Sequence, residues 1–366
     1  MKFKSERDIL ADALSTASRV VATRLIGASS GILLSLSGNQ LTVTGTDLDI
    51  TVRTVVDVIG IEDGATVVPA RLIVDAVRSL EAGAVTVSAG EENVEISLGR
   101  AKFSLRTFAV MDFPKLPPVA GPETSVAALD LVQGITQVVR AAASDDARPL
   151  LTGVLFTTEG DTLRLIATDS YRLAVRDVPG VAGVGGSQDL LVPARALVEL
   201  QRAAASLASD AQIGVTLTEA EICFSVGATS IASRLIEGNY PSVLQLIPAS
   251  YPNQLRVAKD TLLTSLRRAK LLAKDTTSSV RLTVAEKTVE VRTQSHDAGD
   301  VEDNVDADYT GEEMTIAFNP NFLIDGIEAV PGDEVVLEMS DAVRPAMVHG
   351  VEDVRFRYLL MPVRVQ

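Results

Sequence analysis

At 366 residues with a net charge of −15, the chain is too long for one ordinary domain and too acidic overall to hold nucleic acid by bulk charge. A single cysteine excludes an internal disulfide framework, and no apolar run approaches the roughly 18 residues of a membrane span. The apolar share of 46% is ample for packed cores; with aromatics at 4% and no Trp, aliphatic side chains must do the packing.

The opening "MKFKSERDIL" turns charged at once and has no signal-peptide core, so a soluble cytoplasmic protein is expected. Ile9, Leu10, Ala13, Leu14, Ala17, Val20 and Val21 recur with the helical period and predict a first helix over 5–24. The stretch "GILLSLSGNQLTVTGT" (31–46) alternates on both sides of a polar turn near Asn39, the signal of a hairpin. "VVPARLIVDAV" (67–77) then ends a strand and starts a helix over 70–81, with Pro69 where a missing N–H costs nothing. "ISLGRAKFSLRTF" (96–108) reads as a closing hairpin, and the Pro-rich "DFPKLPPVAGPET" (112–124) as a linker.

The same order then recurs. Leu131, Val132, Ile135, Val138, Val139 and Ala142 make a second amphipathic helix, followed by the hairpin "TGVLFTTEGDTLRLIAT" (152–168). "LVPARALVEL" (191–200) repeats the Pro-Ala-Arg of 69–71 at an offset of 124 and starts a helix over 194–209. "ICFSVGATSIASRLI" (222–236) closes the unit before a second Pro-containing linker, "IPASYPN" (247–253). A third round runs through a helix with Leu262, Leu263, Leu266, Ala269 and Leu272, and the hairpin "SVRLTVAEKTVEVRTQ" (279–294). It continues in "IAFNPNFLIDGI" (316–327), where Asn319 takes the place of Pro69 and Pro193 as a cap of the helix 320–330, and ends in the hairpin 347–365. A period of this size is that of a whole domain, which predicts three tandem domains at 1–120, 121–249 and 250–366.

In this order and spacing, several segments resemble the bacterial sliding clamps, the beta subunit of the replicative DNA polymerase III holoenzyme. They are "MKF", "LTVTGTDLDITV" (41–52), "VVPAR", "FSLRTF", "ATDSYRLAV", "LVPAR" and the terminal "YLLMPVRV" (358–365), and the resemblance covers the whole chain. It implies an α+β fold of three tandem DNA-clamp domains. Helices would line a central hole and antiparallel sheets lie outside, with two chains closing head to tail into a ring-shaped homodimer. It implies a non-catalytic processivity factor without cofactor or metal, which encircles double-stranded DNA without sequence preference. It would tether the replicative DNA polymerase, the clamp loader and other proteins carrying a clamp-binding motif. Twelve helices packed at about 8–10 Å leave a hole of roughly 20–28 Å, wide enough for a duplex of about 20 Å. The six helical segments carry 14 basic and 13 acidic residues, so the acid excess lies almost wholly outside them.

By position, the resemblance implies a partner-peptide pocket built from Leu151, Thr168, Ser170, Tyr171, Arg172 and Leu173, then Pro241, Gln245 and Leu246. Asn319, Phe322, Pro345, Leu359, Leu360, Met361, Pro362, Val363 and Arg364 complete it. Leu, Pro and Met suit an apolar groove that adapts to several partners, while Arg172 and Asn319 are candidates to orient a peptide. The family form "TDGHRLA" reads "TDSYRLA" here, Gln245 stands where some members carry Arg, and Gln366 lies beyond the usual end, so the pocket's fine specificity is open. The implied dimer interface sets Arg100, Lys102, Phe103 and Leu105 against Leu271, Leu272, Asp300, Glu302 and Asp303. Arg24 and Arg148 match positions near DNA.

Other segments carry less. "HDAGDVEDNVDAD" (296–308) lacks the ligand order of a calcium loop and reads as a solvated acidic loop. "GVAGVGGS" (180–187) precedes a strand and not a helix, so it reads as a loop and not a phosphate cradle. Cys223 in "EICFSV" reads as a structural thiol of a strand, and His296 and His349 stand outside any catalytic order. A second reading stays open: an acidic scaffold of the same fold that binds proteins without serving as the main replicative clamp.

Overall fold

The helical periods form six helices among the described residues: α1 (Arg7–Ser18), α2 (Ala70–Ser79), α3 (Ala128–Val138), α4 (Ala194–Ala204), α5 (Lys259–Lys270) and α6 (Pro320–Ala329). The computed structural model describes residues 1–22, 26–181, 184, 188–273, 279–295 and 299–364. All three hairpins form as expected, for example Gly31–Ser37 with Gln40–Thr46 and Gly153–Glu159 with Thr162–Thr168. α2 and α4 end earlier than the apolar period suggests, at Ser79 and Ala204.

Each repeat also opens with a strand that the periodicity did not reveal: Lys2–Glu6, Glu123–Ala127 and Asn253–Ala258. Each runs directly into its helix, so the alternation is only five or six residues long before the period changes. The acidic segment read as a loop at 296–308 is a correction. From residue 299 it is the long strand Gly299–Thr310. Val305 and Tyr309 are buried at period two while Asp300, Glu302, Asn304, Asp306 and Asp308 face out, so the charges mask an ordinary half-buried strand. His296, and most of the Gly-rich 180–187, lie outside the described residues.

The chain divides into two compact units. The first holds 1–128 and 198–235, and the second 129–197 and 236–366. In the first, a five-stranded sheet and an eight-stranded sheet are entirely antiparallel. Phe3, Leu10, Leu14, Ala17, Ile32, Leu34, Ile73, Val77, Val85 and Ile96 form its core, where α1 and α2 cover the sheets. In the second, twelve strands form one antiparallel sheet with α5 and α6 packed together.

Two strand pairings join successive repeats. In the first unit Ile50–Asp57 pairs with Thr229–Arg234, from Thr229↔Thr54 to Ser233↔Ile50. In the second Arg172–Pro179 pairs with Phe356–Leu360, from Arg172↔Leu360 to Arg176↔Phe356. Tyr358 of that last strand is buried under α6, and it fits because α6 carries glycine at 326. A Cβ there would stand 2.4 Å from two ring carbons of Tyr358.

Gly326→Ala is therefore expected to destabilise the second unit. Overpacking costs about 1–3 kcal/mol and exceeds the gain in helix propensity of about 1 kcal/mol. A lower thermal unfolding midpoint followed by circular dichroism checks this.

Candidate functional site

The site begins with a turn that the sequence "TDSYR" dictates. The Asp169 carboxylate accepts the backbone N–H groups of Tyr171 (2.9 Å) and Arg172 (3.0 Å). The Thr168 hydroxyl donates to the Arg172 carbonyl (2.6 Å) and accepts the N–H of Ser170 (3.1 Å). These bonds hold Ser170 at φ 78° and throw Tyr171 outward, 60% exposed. The first unit builds the same turn from "TDLDI": Asp47 accepts from Asp49 (3.1 Å) and Ile50 (2.7 Å), and Thr46 takes Thr168's role. Leu48 there stands at φ 82°.

The chain's end is strapped to this turn. Met361 N–H donates to the Tyr171 carbonyl (2.9 Å), and Val363 N–H to the Ala317 carbonyl (2.8 Å). Leu359 and Leu360 are buried in the strand before it, while Met361 is 43% exposed. Opposite the turn, the Asn319 side chain accepts from Asn321 N–H (2.9 Å) and Phe322 N–H (3.4 Å) and so caps α6, with Pro320 at its first position. That cap sets Phe322 against Tyr171, ring centroids 6.3 Å apart and planes inclined by 26°.

Arg172 lies beneath this aromatic wall. Its side chain is only 10% exposed, and its guanidinium carbon sits 4.3 Å from the centre of the Phe322 ring. Nε donates to Asp169 (2.9 Å), and one terminal nitrogen donates to Asp325 (2.6 Å) and reaches the Tyr358 hydroxyl (3.4 Å). The Tyr358 hydroxyl itself donates to the Phe322 carbonyl (2.8 Å). Burial lowers the Arg172 pKa, but Tyr358, Asp325 and Asp169 outweigh it and hold the group above its ordinary value. Arg172 and Asn319 thus spend the groups described here on building the wall.

The floor is apolar. Leu173 and Leu359 face each other across the strand pairing and pack with Ile166, Val175, Val243 and Met347, and Tyr240, Ile247 and Tyr251 flank them. Leu151 is buried at the end of the turn Pro149–Thr152. The segment after Tyr240 climbs out of this floor. Pro241 and Gln245 are exposed, Val243 plunges inward, and Leu246 is 57% exposed on the short helix Val243–Leu246. Pro345 is half-buried, just before the strand Ala346–Gly350. Val363 and Arg364 of the tail line a shallow depression of about 430 Å³ with Arg281, Thr315, Ala317, Ala342 and Val343. Pro362 is half-buried.

Sequence reading missed Asp169, Val243, Met347, Asp325 and Tyr358. Asp169 had a legible signal, the matching Asp47 one repeat earlier. Asp325 had none, because its partner Arg172 is 153 residues away.

The remaining expected residues fall elsewhere. Arg148 donates to the Ser170 hydroxyl (2.6 Å) and the Asp169 carbonyl (3.3 Å), which sets it on the site's own turn. Arg24 lies outside the described residues. Lys102, Phe103 and Leu105 sit on Ala101–Arg106, the outer strand of the five-stranded sheet, with Arg100 in the turn before it. Lys102 pairs with Glu95 at 2.7 Å. Asp300, Glu302 and Asp303 lie on Gly299–Thr310, whose first part pairs on one side only among the described residues. Asp303 accepts from Arg268 (2.8 Å). Leu271 is exposed just past α5 and Leu272 is half-buried. Burial pushes the Cys223 thiol above its ordinary value, away from nucleophilic use.

Three repeats of helices over antiparallel sheets define a clamp-type protein. Sequence profiles of the DNA polymerase III beta subunit match end to end: its N-terminal domain over 1–117, its central domain over 126–242 and its C-terminal domain over 244–364. The chain is 30% identical to the beta sliding clamps of Streptomyces coelicolor and Escherichia coli K12, over the full length of each. A crystal structure of a sliding clamp from Bartonella birtlesii bound to griselimycin matches with a TM-score of 0.91 at 30% identity, covering both chains completely. The chain belongs to the DNA polymerase III beta subunit family and is a sliding clamp, a non-catalytic processivity factor of DNA replication.

The two turns differ in how they meet positive φ. Replacing Leu48 by glycine relieves about 1–2 kcal/mol of left-handed strain against a glycine entropy cost of about 0.5–1 kcal/mol. Leu48→Gly should therefore raise the urea midpoint modestly. Ser170→Gly should raise it less, because it also removes the Arg148 hydrogen bond.

Proposed function

We propose that two copies of this chain close head to tail around double-stranded DNA, and that the groove behind Tyr171 captures short peptides of the replicative polymerase, the clamp loader and other replication and repair proteins. The observation that supports the groove is that the exposed apolar side chains Tyr171, Leu244, Leu246 and Met361 sit on the same segments that sink Leu173, Val243 and Leu359 into one buried cluster. Water-exposed apolar groups grouped in this way gain by being covered. The site residues expected from the sequence for this pocket lie in one compact unit, so a peptide meets a preformed surface. The tail contributes Met361 to Arg364 and belongs to the groove, not to the interface.

The ring is supported by two open sheet edges of opposite charge. One is basic, with Arg100, Lys102 and Arg106, and the other acidic, with Asp300, Glu302 and Asp306. A basic edge of one copy on the acidic edge of the next extends both sheets, with Phe103, Leu105 and Leu271 supplying apolar contact. Two such contacts close a ring. Proposed domains at 1–120, 121–249 and 250–366 then place six helices per copy toward the DNA.

Contact with DNA is weak by design of charge. Arg19 pairs with Glu199, Arg140 and Arg267 with Glu328, and Arg268 with Asp303. Topology and not phosphate grip holds the protein on its template, which permits sliding. A tethered partner gains through effective concentration. The site of action is the cytoplasm; among the described residues no helix is long and apolar enough to cross a membrane.

A labelled Gln-x-x-Leu-Phe peptide is expected to bind the full chain saturably at about micromolar affinity in fluorescence anisotropy. Deleting 361–366 should abolish that binding and leave the dimer intact in sedimentation. Monomerisation by the deletion would remove the tail from the groove and assign it to the interface. Reversing Arg100 and Lys102 to Glu should yield monomers, and reversing Asp300 and Glu302 to Lys in the same chain should restore dimers.

A further inference from the structure

The aromatic wall of the groove and the exposed cations of the helices share one pair of carboxylates. Asp325 and Glu328 stand three residues apart on α6, on one face. One oxygen of Asp325 accepts from Arg172 at 2.6 Å; the other accepts from Arg140 at 3.4 Å. The same Arg140 nitrogen donates to Glu328 at 2.7 Å, and Arg267 of α5 donates to the other Glu328 oxygen at 2.8 Å. Arg140 follows the end of α3, so three helices and the turn of the groove meet at these carboxylates.

Exposure separates the three cations. Arg172 is 10% exposed, whereas Arg140 and Arg267 are 51% and 58% exposed. The latter two keep much of the side chain in solvent while one terminal nitrogen of each holds α6. Hydrogen bonds from Arg267 hold the Glu328 carboxyl below its usual range, with Arg140 adding to them.

We propose that Asp325 and Glu328 couple anion binding on the helices to the peptide groove, so that duplex DNA phosphates at Arg140 and Arg267 tighten peptide binding. This rests on the reading that the groove takes peptides and the helices face DNA. A phosphate that engages Arg140 neutralises it and weakens its hold on Asp325. Asp325 is then left to Arg172, whose guanidinium supports Phe322 and, through Asp169, the turn that carries Tyr171. A firmer wall loses less freedom when the peptide seats. By linkage, bound peptide favours DNA contact by the same factor. Asp325 is thus a positioning residue and touches neither ligand.

The test titrates the labelled Gln-x-x-Leu-Phe peptide into the full-length protein at fixed ionic strength, with and without a short duplex at a concentration shown to saturate by its own titration. Wild type should bind peptide about fivefold more tightly with duplex present, the lower end of common coupling factors. Arg140→Gln, a surface change, should already show the tightened affinity without duplex and gain nothing from it. Asp325→Asn should bind peptide more weakly and lose the response to duplex, with circular dichroism confirming its fold. An unchanged or weakened wild-type peptide affinity at saturating duplex overturns the coupling and leaves the groove standing. Failure of wild type to bind the peptide at all overturns the groove itself, and failure to bind duplex overturns the DNA-facing helices.

Discussion

One strand pairing carries the candidate site: Arg172–Pro179 on Phe356–Leu360. It brings the turn of the central repeat, the last strand of the third repeat and the tail into one surface. The pairing places Leu173 opposite Leu359, so the floor is made of both. It also runs Tyr358 beneath α6, where Gly326 leaves room for the ring. From there the Tyr358 hydroxyl reaches Phe322 and Arg172. A shift of one residue in this register would turn every one of these side chains to the opposite face of the sheet.

The first unit builds the equivalent junction from different side chains. Its equivalent pairing, Ile50–Asp57 on Thr229–Arg234, follows an equivalent turn. Yet the positions that hold Ile166, Leu173 and Val175 in the second unit hold Thr44, Thr51 and Arg53 here. Arg53 donates to the Leu116 carbonyl, and the linker packs Phe113 against Ala28 and Val67. The chain therefore fills this junction with its own linker. In the second unit the matching segment sinks Val243 but leaves Leu244 and Leu246 outside. The two junctions thus differ by a few positions that are polar in one unit and aliphatic in the other.

Charge follows a similar economy. Several arginines on or just past the helices are engaged with carboxylates of neighbouring elements, as in Arg19 with Glu199 and Arg267 with Glu328. Lys259 spends its ammonium on the carbonyls of Glu328 and Val330 at the end of α6, where the helix dipole favours a cation. These pairs organise helix against helix.

The sequence by itself determined the triplication, the six helices, the paired hairpins and the family. Those features reside in local period, in Pro and Asn at helix starts, and in segments repeated at domain spacing. It hid the opening strands, too short to show a period, and the strand Gly299–Thr310, whose acids imitate a loop. The outline of the site was legible in "TDSYRL" and "YLLMPVRV". Only the tertiary structure decided that Arg172 supports the wall from beneath and that Asp325 anchors it. It also decided that Arg148 rests on the turn at Ser170 and that Val243 and Met347 complete the floor. The reason is distance along the chain. Arg172 and Asp325 carry no mark of each other in sequence, and their charges meet only after the strands of two repeats have paired.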